Sequence, residues 1–276
     1  MALSADTLFH FTKYEHLTSI IANRTFYPRY SFELLLNDEN HIVAIPMVCF
    51  CDIPLSQIYP HAVAYHKNGI GLSKEWGRNS GINPVFYLQQ KSRPFFILRE
   101  ILSASKFIRN QSGQVAMIAD NAKALRYYYE LLTFFKPREG KTWDRDNATF
   151  VQKNTAKGPL DKIFNFYDER EWRFVPDNQK ESTSQSIPIN FIPKEFLYDG
   201  QGNFLNDRFE SFNKIQLEFA LPFNPDQVKY IIVDRKDKIN RLVEFIKNLG
   251  KETYTEAEKN LLYTKIISLT QIRKDF

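Results

Sequence analysis

The segment Asp168-Glu169-Arg170-Glu171-Trp172-Arg173-Phe174-Val175 concentrates more chemistry than any other stretch of the chain. Two carboxylates stand two residues apart, interleaved with two arginines, where an apolar run begins. In an extended chain the side-chain period of two places Glu169, Glu171 and Arg173 on one face. Trp172 and Phe174, with Ile163 and Phe166 upstream, can supply the packed side. Like charges that close are costly unless arginines or a ligand stabilise them, so the segment is a candidate catalytic or binding strand. The plainer alternative is an edge strand charged to prevent pairing with another chain.

Other residues carry chemistry singly. His10 lies between Phe9 and Phe11, and alternation turns it to the face opposite both rings. It is either a hydrogen-bonded structural histidine or one that orients a polar ligand. Arg29 follows a proline in an extended segment, where its planar fork suits a phosphate or carboxylate or a plain surface ion pair. Ser73, after Gly69-Ile70-Gly71-Leu72, is placed to cap a helix starting at Lys74. Tyr65 offers a ring face for stacking. Cys49, Cys51, His61 and His66 invite a zinc reading, but Cys-x-Cys is shorter than the usual ligand spacing. An apolar strand interior also blunts a thiol nucleophile, so the cysteines read as core residues and no metal is assigned. Arg126-Tyr127-Tyr128-Tyr129 could stack bases, although an aromatic helical face is first a core or partner-contact element.

These residues need a scaffold, and the chain can build one. Its 276 residues, 43% hydrophobic with 24 Phe and 14 Tyr, support one large core. The pattern reads as a single α+β domain over 1–276, with a mixed or antiparallel sheet and a helical insert at about 93–135. Strands are expected at 7–11, 45–51, 69–73, 83–88, 170–175 and 228–233, with alternation over 213–220 suggesting another. Thr12-x-x-Glu15 and Thr255-x-x-Glu258 have the form of capping boxes. In the insert, Leu98, Ile101, Leu102 and Ser105 fit one helix face, and Leu125, Tyr128, Leu132 and Phe135 another. Residues 136–160 read as polar and irregular, with Lys136-Pro137 and Gly158-Pro159 as breakers.

The net charge of +5 and pI near 9.0 admit acidic partners such as nucleotides or nucleic acid, but the excess is too mild to identify a nucleic-acid binder. No disulfide framework, secretory leader, membrane-spanning run or phosphate-binding glycine motif is present in the sequence, so a soluble cytoplasmic protein is expected.

Pro46-Met47-Val48-Cys49-Phe50-Cys51-Asp52-Ile53-Pro54-Leu55, then Gly69-Ile70-Gly71-Leu72-Ser73-Lys74-Glu75-Trp76-Gly77 and Asn83-Pro84-Val85, resemble the AbiGi abortive-infection family. Leu8-Phe9-His10-Phe11-Thr12 and Asp168 to Arg173 fit the same pattern. This resemblance implies bacterial phage defence and an antitoxin role, with a cognate toxin or phage protein as partner; it specifies no chemistry. A more distant likeness is to the ADP-ribosyltransferase superfamily, whose members place a His or Arg on an early strand, a Ser or Tyr on the next and a Glu late. The matching residues here are His10, then Tyr65 or Ser73, then Glu171.

That second likeness implies NAD as substrate. Glu171 would hold the ribose and stabilise an oxocarbenium-like centre, and Glu169 would orient or deprotonate the acceptor. His10 would hydrogen-bond the adenosine-side ribose, Ser73 or Tyr65 would position the nicotinamide, and Arg29 would pair with the pyrophosphate. Arg173 completes the cofactor-binding set. Two functions therefore follow from the sequence: an NAD-using effector, by ADP-ribosyl transfer or NAD hydrolysis, or a non-catalytic antitoxin or sensor that binds a partner.

Overall fold

The structure, a computed structural model, describes residues 5–37, 41–111, 127–144, 149–151, 164–177 and 190–275. Its organising element is β4 (Ile42–Cys51), a strand three residues longer at its start than the apolar run 45–51 expected from the sequence. β4 serves two neighbourhoods. Its first half pairs with β3 (Arg29–Leu34) and β14 (Ile192–Pro193). Its second half pairs with β1 (Thr7–Thr12) and β13 (Glu171–Phe174). Pro46 falls between the stretches paired with β14 and β13, so its missing N–H interrupts neither ladder.

From there the sheet runs in the order β17 (Ile266–Ser268), β16 (Val228–Val233), β5 (Asn68–Ser73), β1, β4, β13 and β6 (Asn83–Pro84). All pairings in it are antiparallel except β16 with β17. Four two-stranded ribbons flank it: β2 (Thr25–Phe26) with β15 (Leu221–Pro222), β7 (Phe86–Leu88) with β8 (Phe135–Pro137), β9 (Glu139–Gly140) with β12 (Phe164–Asn165), and β10 (Thr142–Asp144) with β11 (Thr149–Val151). The expected α+β class with a mixed, mostly antiparallel sheet is what the chain forms.

The two faces of the sheet bury different cores. One carries Leu8, Val48, Phe50, Trp172 and Phe174, packed under α1 (Tyr14–Asn23), α3 (Lys74–Asn79), α7 (Asp237–Lys247) and α8 (Glu256–Tyr263). The other carries Phe9, Cys49 and Cys51. α2 (Ile58–Ala64) and α9 (Leu269–Asp275) cover part of it. α4 (Arg93–Gln111) and the helical stretch 127–132, here α5, cover the rest through Phe95, Leu98, Leu102, Tyr129 and Leu132. α6 (Asn206–Gln216) closes the β3 end of the first face.

Several local expectations are corrected. Residues 213–220 begin as the end of α6, not as a strand. Phe209, Asn213 and Gln216 are buried at helical spacing, so the operative period is 3.6. Thr12 stays in β1 and caps nothing; α1 starts from Lys13 without a side-chain cap. The Thr255 box does form, with reciprocal bonds to Glu258, and Thr255→Ala should cost about 1 kcal/mol in a denaturant melt. On α4, Ile101 is exposed while Leu98 and Leu102 are buried. Leu125 and residues 112–126 of the expected insert, and Ile163, lie outside the described residues, as do most of 145–163. Lys136-Pro137 is the strand β8, not a breaker.

Gly69 and Gly71 do permit a close approach, but by the protein itself. A Cβ at Gly69 would lie 2.7 Å from the His10 carbonyl oxygen, and one at Gly71 would lie 2.7 Å from the Phe9 ring. The side rings of β1 thus lie flat on the neighbouring strand where a side chain is missing.

Candidate functional site

Phe166–Glu169 form a tight 3-10 turn, and Arg170 follows in the left-handed region with φ 46°. That kink ends the turn and starts β13 at Glu171. Glu169 therefore reaches the cluster from a turn, not along the strand, while Glu171 and Arg173 share a strand face as their spacing predicts. Trp172 and Phe174 pack on the opposite face as expected. Phe166 does not join them; its ring lies 4.6 Å beneath the Lys136 ammonium, on the charged side. β13 is flanked by β4 and β6, and its charges point inward, so the charged-edge alternative does not describe them.

At the centre lies Arg173, whose side chain is 0% exposed. Its Nε donates to Glu171 Oε1 at 2.6 Å and its Nη2 to Glu33 Oε1 at 2.9 Å and Glu171 Oε2 at 3.2 Å. Its Nη1 donates to the Thr133 carbonyl at 2.8 Å. Lys136 Nζ donates to Glu169 Oε2 and to Glu171 Oε2, each at 2.9 Å. The Glu171 backbone N–H donates to the Tyr87 hydroxyl at 2.9 Å. Three carboxylates and two cations thus share one buried cluster, and both oxygens of Glu171 are engaged by cationic N–H groups.

The cluster separates Glu169 and Glu171 electrostatically. Burial pushes the Glu169 carboxyl well up, and the neighbouring Glu171 and Glu33 charges push the same way. For Glu171 burial acts upward too, but Arg173 and Lys136 outweigh it and hold the carboxyl well below its ordinary value. Burial opposes the charge on Arg173, yet Glu171 and Glu33 make it hold its proton more firmly. Glu169 in its protonated form leaves two carboxylates facing two cations, a neutral set.

The remaining candidates do not converge on this cluster. Phe9 and Glu171 are both in register with Cys51, so they share a face; His10, one residue on, points to the other. There His10 packs against Phe26 and Phe50, and its Nδ1 is 2.8 Å from the Cys49 carbonyl. Burial lowers its pKa. Arg29 is exposed and 3.5 Å from Glu210. Tyr65 stacks on His61 at 4.5 Å. Ser73 caps α3, its Oγ accepting from the Trp76 N–H at 3.2 Å. The predicted trio of His10, Tyr65 or Ser73, and Glu171 is therefore not assembled around one cleft; the physical reason is the register, which sends His10 and Glu171 to opposite sides of the sheet.

Cys49 and Cys51 are free, and burial raises both thiols. Among the described residues no group of three or more His, Cys, Asp or Glu is arranged to hold a metal. Arg126 lies outside the described residues; Tyr127 is exposed, and Tyr129 is buried 4.8 Å from Phe191. Ser73→Ala should cost about 1 kcal/mol of stability, as a lost cap does, and leave any binding activity of the folded protein unchanged.

Sequence reasoning missed Glu33, Lys136 and Tyr87. Glu33 carried a usable signal, because it alternates with Phe32 and Tyr30 on a strand and so faces the side opposite the buried Tyr30 and partly buried Phe32 rings. Lys136 carried none, since its neighbourhood read as a break.

The fold and the cluster define an α+β protein with an internal ion lock among its described residues. A family model described as "Putative abortive phage resistance protein AbiGi, antitoxin" matches residues 24–234. The chain belongs to this abortive phage resistance family. It is 30% identical over 267 residues to the abortive phage resistance protein AbiGi of Lactococcus lactis subsp. cremoris, an alignment covering 91% of this chain and 99% of that protein. No solved structure matches the chain. No helix among the described residues is long and apolar enough to cross a membrane.

Proposed function

We propose that this chain is a non-catalytic antitoxin of abortive phage resistance, acting by holding a toxin protein and not by turning over NAD. The observation that carries the proposal is the state of Glu171. A carboxylate that stabilises a cationic sugar must present a free oxygen to it, and both Glu171 oxygens already accept from Arg173 and Lys136 inside the protein. His10 on the opposite face gives the glutamate no partner for a nucleotide. The family description supplies the antitoxin role and, with it, a toxin as partner.

The lock has a structural task that fits this reading. Tyr87 on β7 and Lys136 on β8 are register partners, and both bond the lock. β7 leads into α4 and α5 leads into β8. Arg173 also holds the Thr133 carbonyl just after α5. Both ends of the helical hairpin are thereby fastened to the sheet.

The test is co-expression of the chain with the toxin of its system, alongside incubation of the purified chain with labelled NAD. Growth should be restored by the chain, and nicotinamide release should stay at the level of a buffer blank. Release above that blank, with transfer of label to a protein or to water, would falsify the non-catalytic reading; failure to restore growth would remove the antitoxin role.

A further inference from the structure

α4 and α5 each bury one apolar row and leave a second one in water. On α4, Phe95, Leu98 and Leu102 face the core, while Ile97 and Ile101 remain 49% and 45% exposed. On α5, Tyr129 and Leu132 are buried, while Tyr127 and Leu131 remain 55% and 49% exposed. Each outer pair has i, i+4 spacing, so each lies along one helix face. Tyr128 on α5 donates its hydroxyl proton to the Leu98 carbonyl on α4, which holds the two helices against each other. A single exposed leucine needs no explanation. Here, of nine large apolar side chains exposed among the described residues, four form these two rows, and two more, Phe86 and Phe96, lie on β7 and α4. Exposed apolar rows concentrated on two adjoining helices mark an interaction site.

The charge around the rows indicates what would cover them. α4 carries Arg93, Arg99, Lys106 and Arg109 against one acid, Glu100. Arg93, one turn before Ile97, is exposed on the same side of α4, and Arg99 is exposed over the Phe96 ring, its guanidinium carbon 5.1 Å from the centroid. Arg99 meets Glu100 at only 3.8 Å, and one glutamate leaves the helix strongly basic.

We infer that the outer face of the α4–α5 hairpin docks the protein partner, and that the partner presents an apolar helix edged with aspartate or glutamate. The inference rests on the antitoxin reading and adds to it the surface and the partner's chemistry. Apolar rows laid into a groove supply the affinity, and the arginines set register and speed encounter. The ion lock contributes by fastening the strands that lead into α4 and out of α5 to the sheet, which lowers the cost of binding.

The experiment uses the full chain and the purified toxin of its system, with affinity followed by calorimetric titration at two salt concentrations. Ile97→Asp with Ile101→Asp should weaken Kd at least tenfold, and Arg93→Glu with Arg99→Glu should weaken it and flatten its salt dependence. Leu217→Asp, at another exposed apolar position, should bind as wild type. The replaced side chains are exposed, so thermal midpoints should agree within a few degrees, and a variant that melts early is replaced by Ile101→Lys alone. Wild-type affinity in both hairpin variants, with growth still restored, would overturn the docking face and leave the antitoxin reading standing. A wild-type chain that neither binds nor restores growth would instead sink that reading. A hairpin variant that turns a dimer into a monomer and still binds toxin would assign the face to a second copy of the chain, which also overturns the inference.

Discussion

Arg173→Met should destabilise the protein by about 3–5 kcal/mol, the usual cost of removing one member of a buried ion cluster. For a domain of this size the thermal midpoint would then fall by on the order of 10 °C. The volume is nearly kept, so packing loss is a minor part. What is lost is four hydrogen bonds and, among the described residues, the guanidinium facing Glu171 and Glu33. Glu33, Glu169 and Glu171 would remain facing Lys136. The Thr133 carbonyl would lose its donor in the same step, loosening the end of α5. Arg173→Lys should fall between methionine and wild type, because an ammonium keeps the charge but cannot reproduce the fork that spans Glu171, Glu33 and the carbonyl. Equilibrium denaturation reads the cost, and amide exchange should quicken first in β7 and β8. An unchanged midpoint for Arg173→Met would remove the lock as the fastener of the hairpin.

The sheet was legible in the sequence because its strands announce themselves. Val228–Val233 and the run 45–51 within β4 are too short for buried helices and lie next to turn residues. Glu171 and Arg173 share a face for the same reason that Trp172 and Phe174 share the other: the period of two survives burial. Failures came where a short turn overrode the period. Glu169 sits before a left-handed Arg170, so the extended-chain argument does not reach it. His10 was placed correctly relative to Phe9 and Phe11, but no local pattern says which face a strand 160 residues away will present. That relation exists only through Cys51, with which both strands are registered. Lys136 was invisible because a lysine before a proline ordinarily ends structure; here a parallel pairing with Tyr87 makes the same dipeptide a strand. The chemistry of the segment was thus read from its residues, while its role as a lock depended on partners that only the fold supplies.

Glu171→Gln and Glu169→Gln should differ sharply although the residues are two apart. Glu171 carries a depressed carboxyl pKa because Arg173 and Lys136 outweigh its burial. Its contribution to stability is present above the ordinary value of 4.5 and disappears as pH falls through the folded value. Glutamine there leaves both cations short of an anion, a loss of about 3 kcal/mol at neutral pH. Glu169 is displaced the other way by burial and by Glu171 and Glu33. Its folded form favours the proton, so its contribution is fully present below 4.5 and declines as pH rises through the raised value. Glutamine resembles that protonated carboxyl and still offers Lys136 an acceptor oxygen. Glu169→Gln should therefore melt near wild type at acidic pH and gain on it as pH rises. Glu171→Gln should be weakest relative to wild type at neutral pH and approach it on acidification, where wild type loses the same charge. Thermal midpoints of the three proteins from neutral pH up to 9 and down to about 2, below the ordinary carboxyl value, decide the matter. Parallel curves for the two variants would mean that the carboxylates are equivalent, and that the single proton assigned to Glu169 is not what balances the cluster.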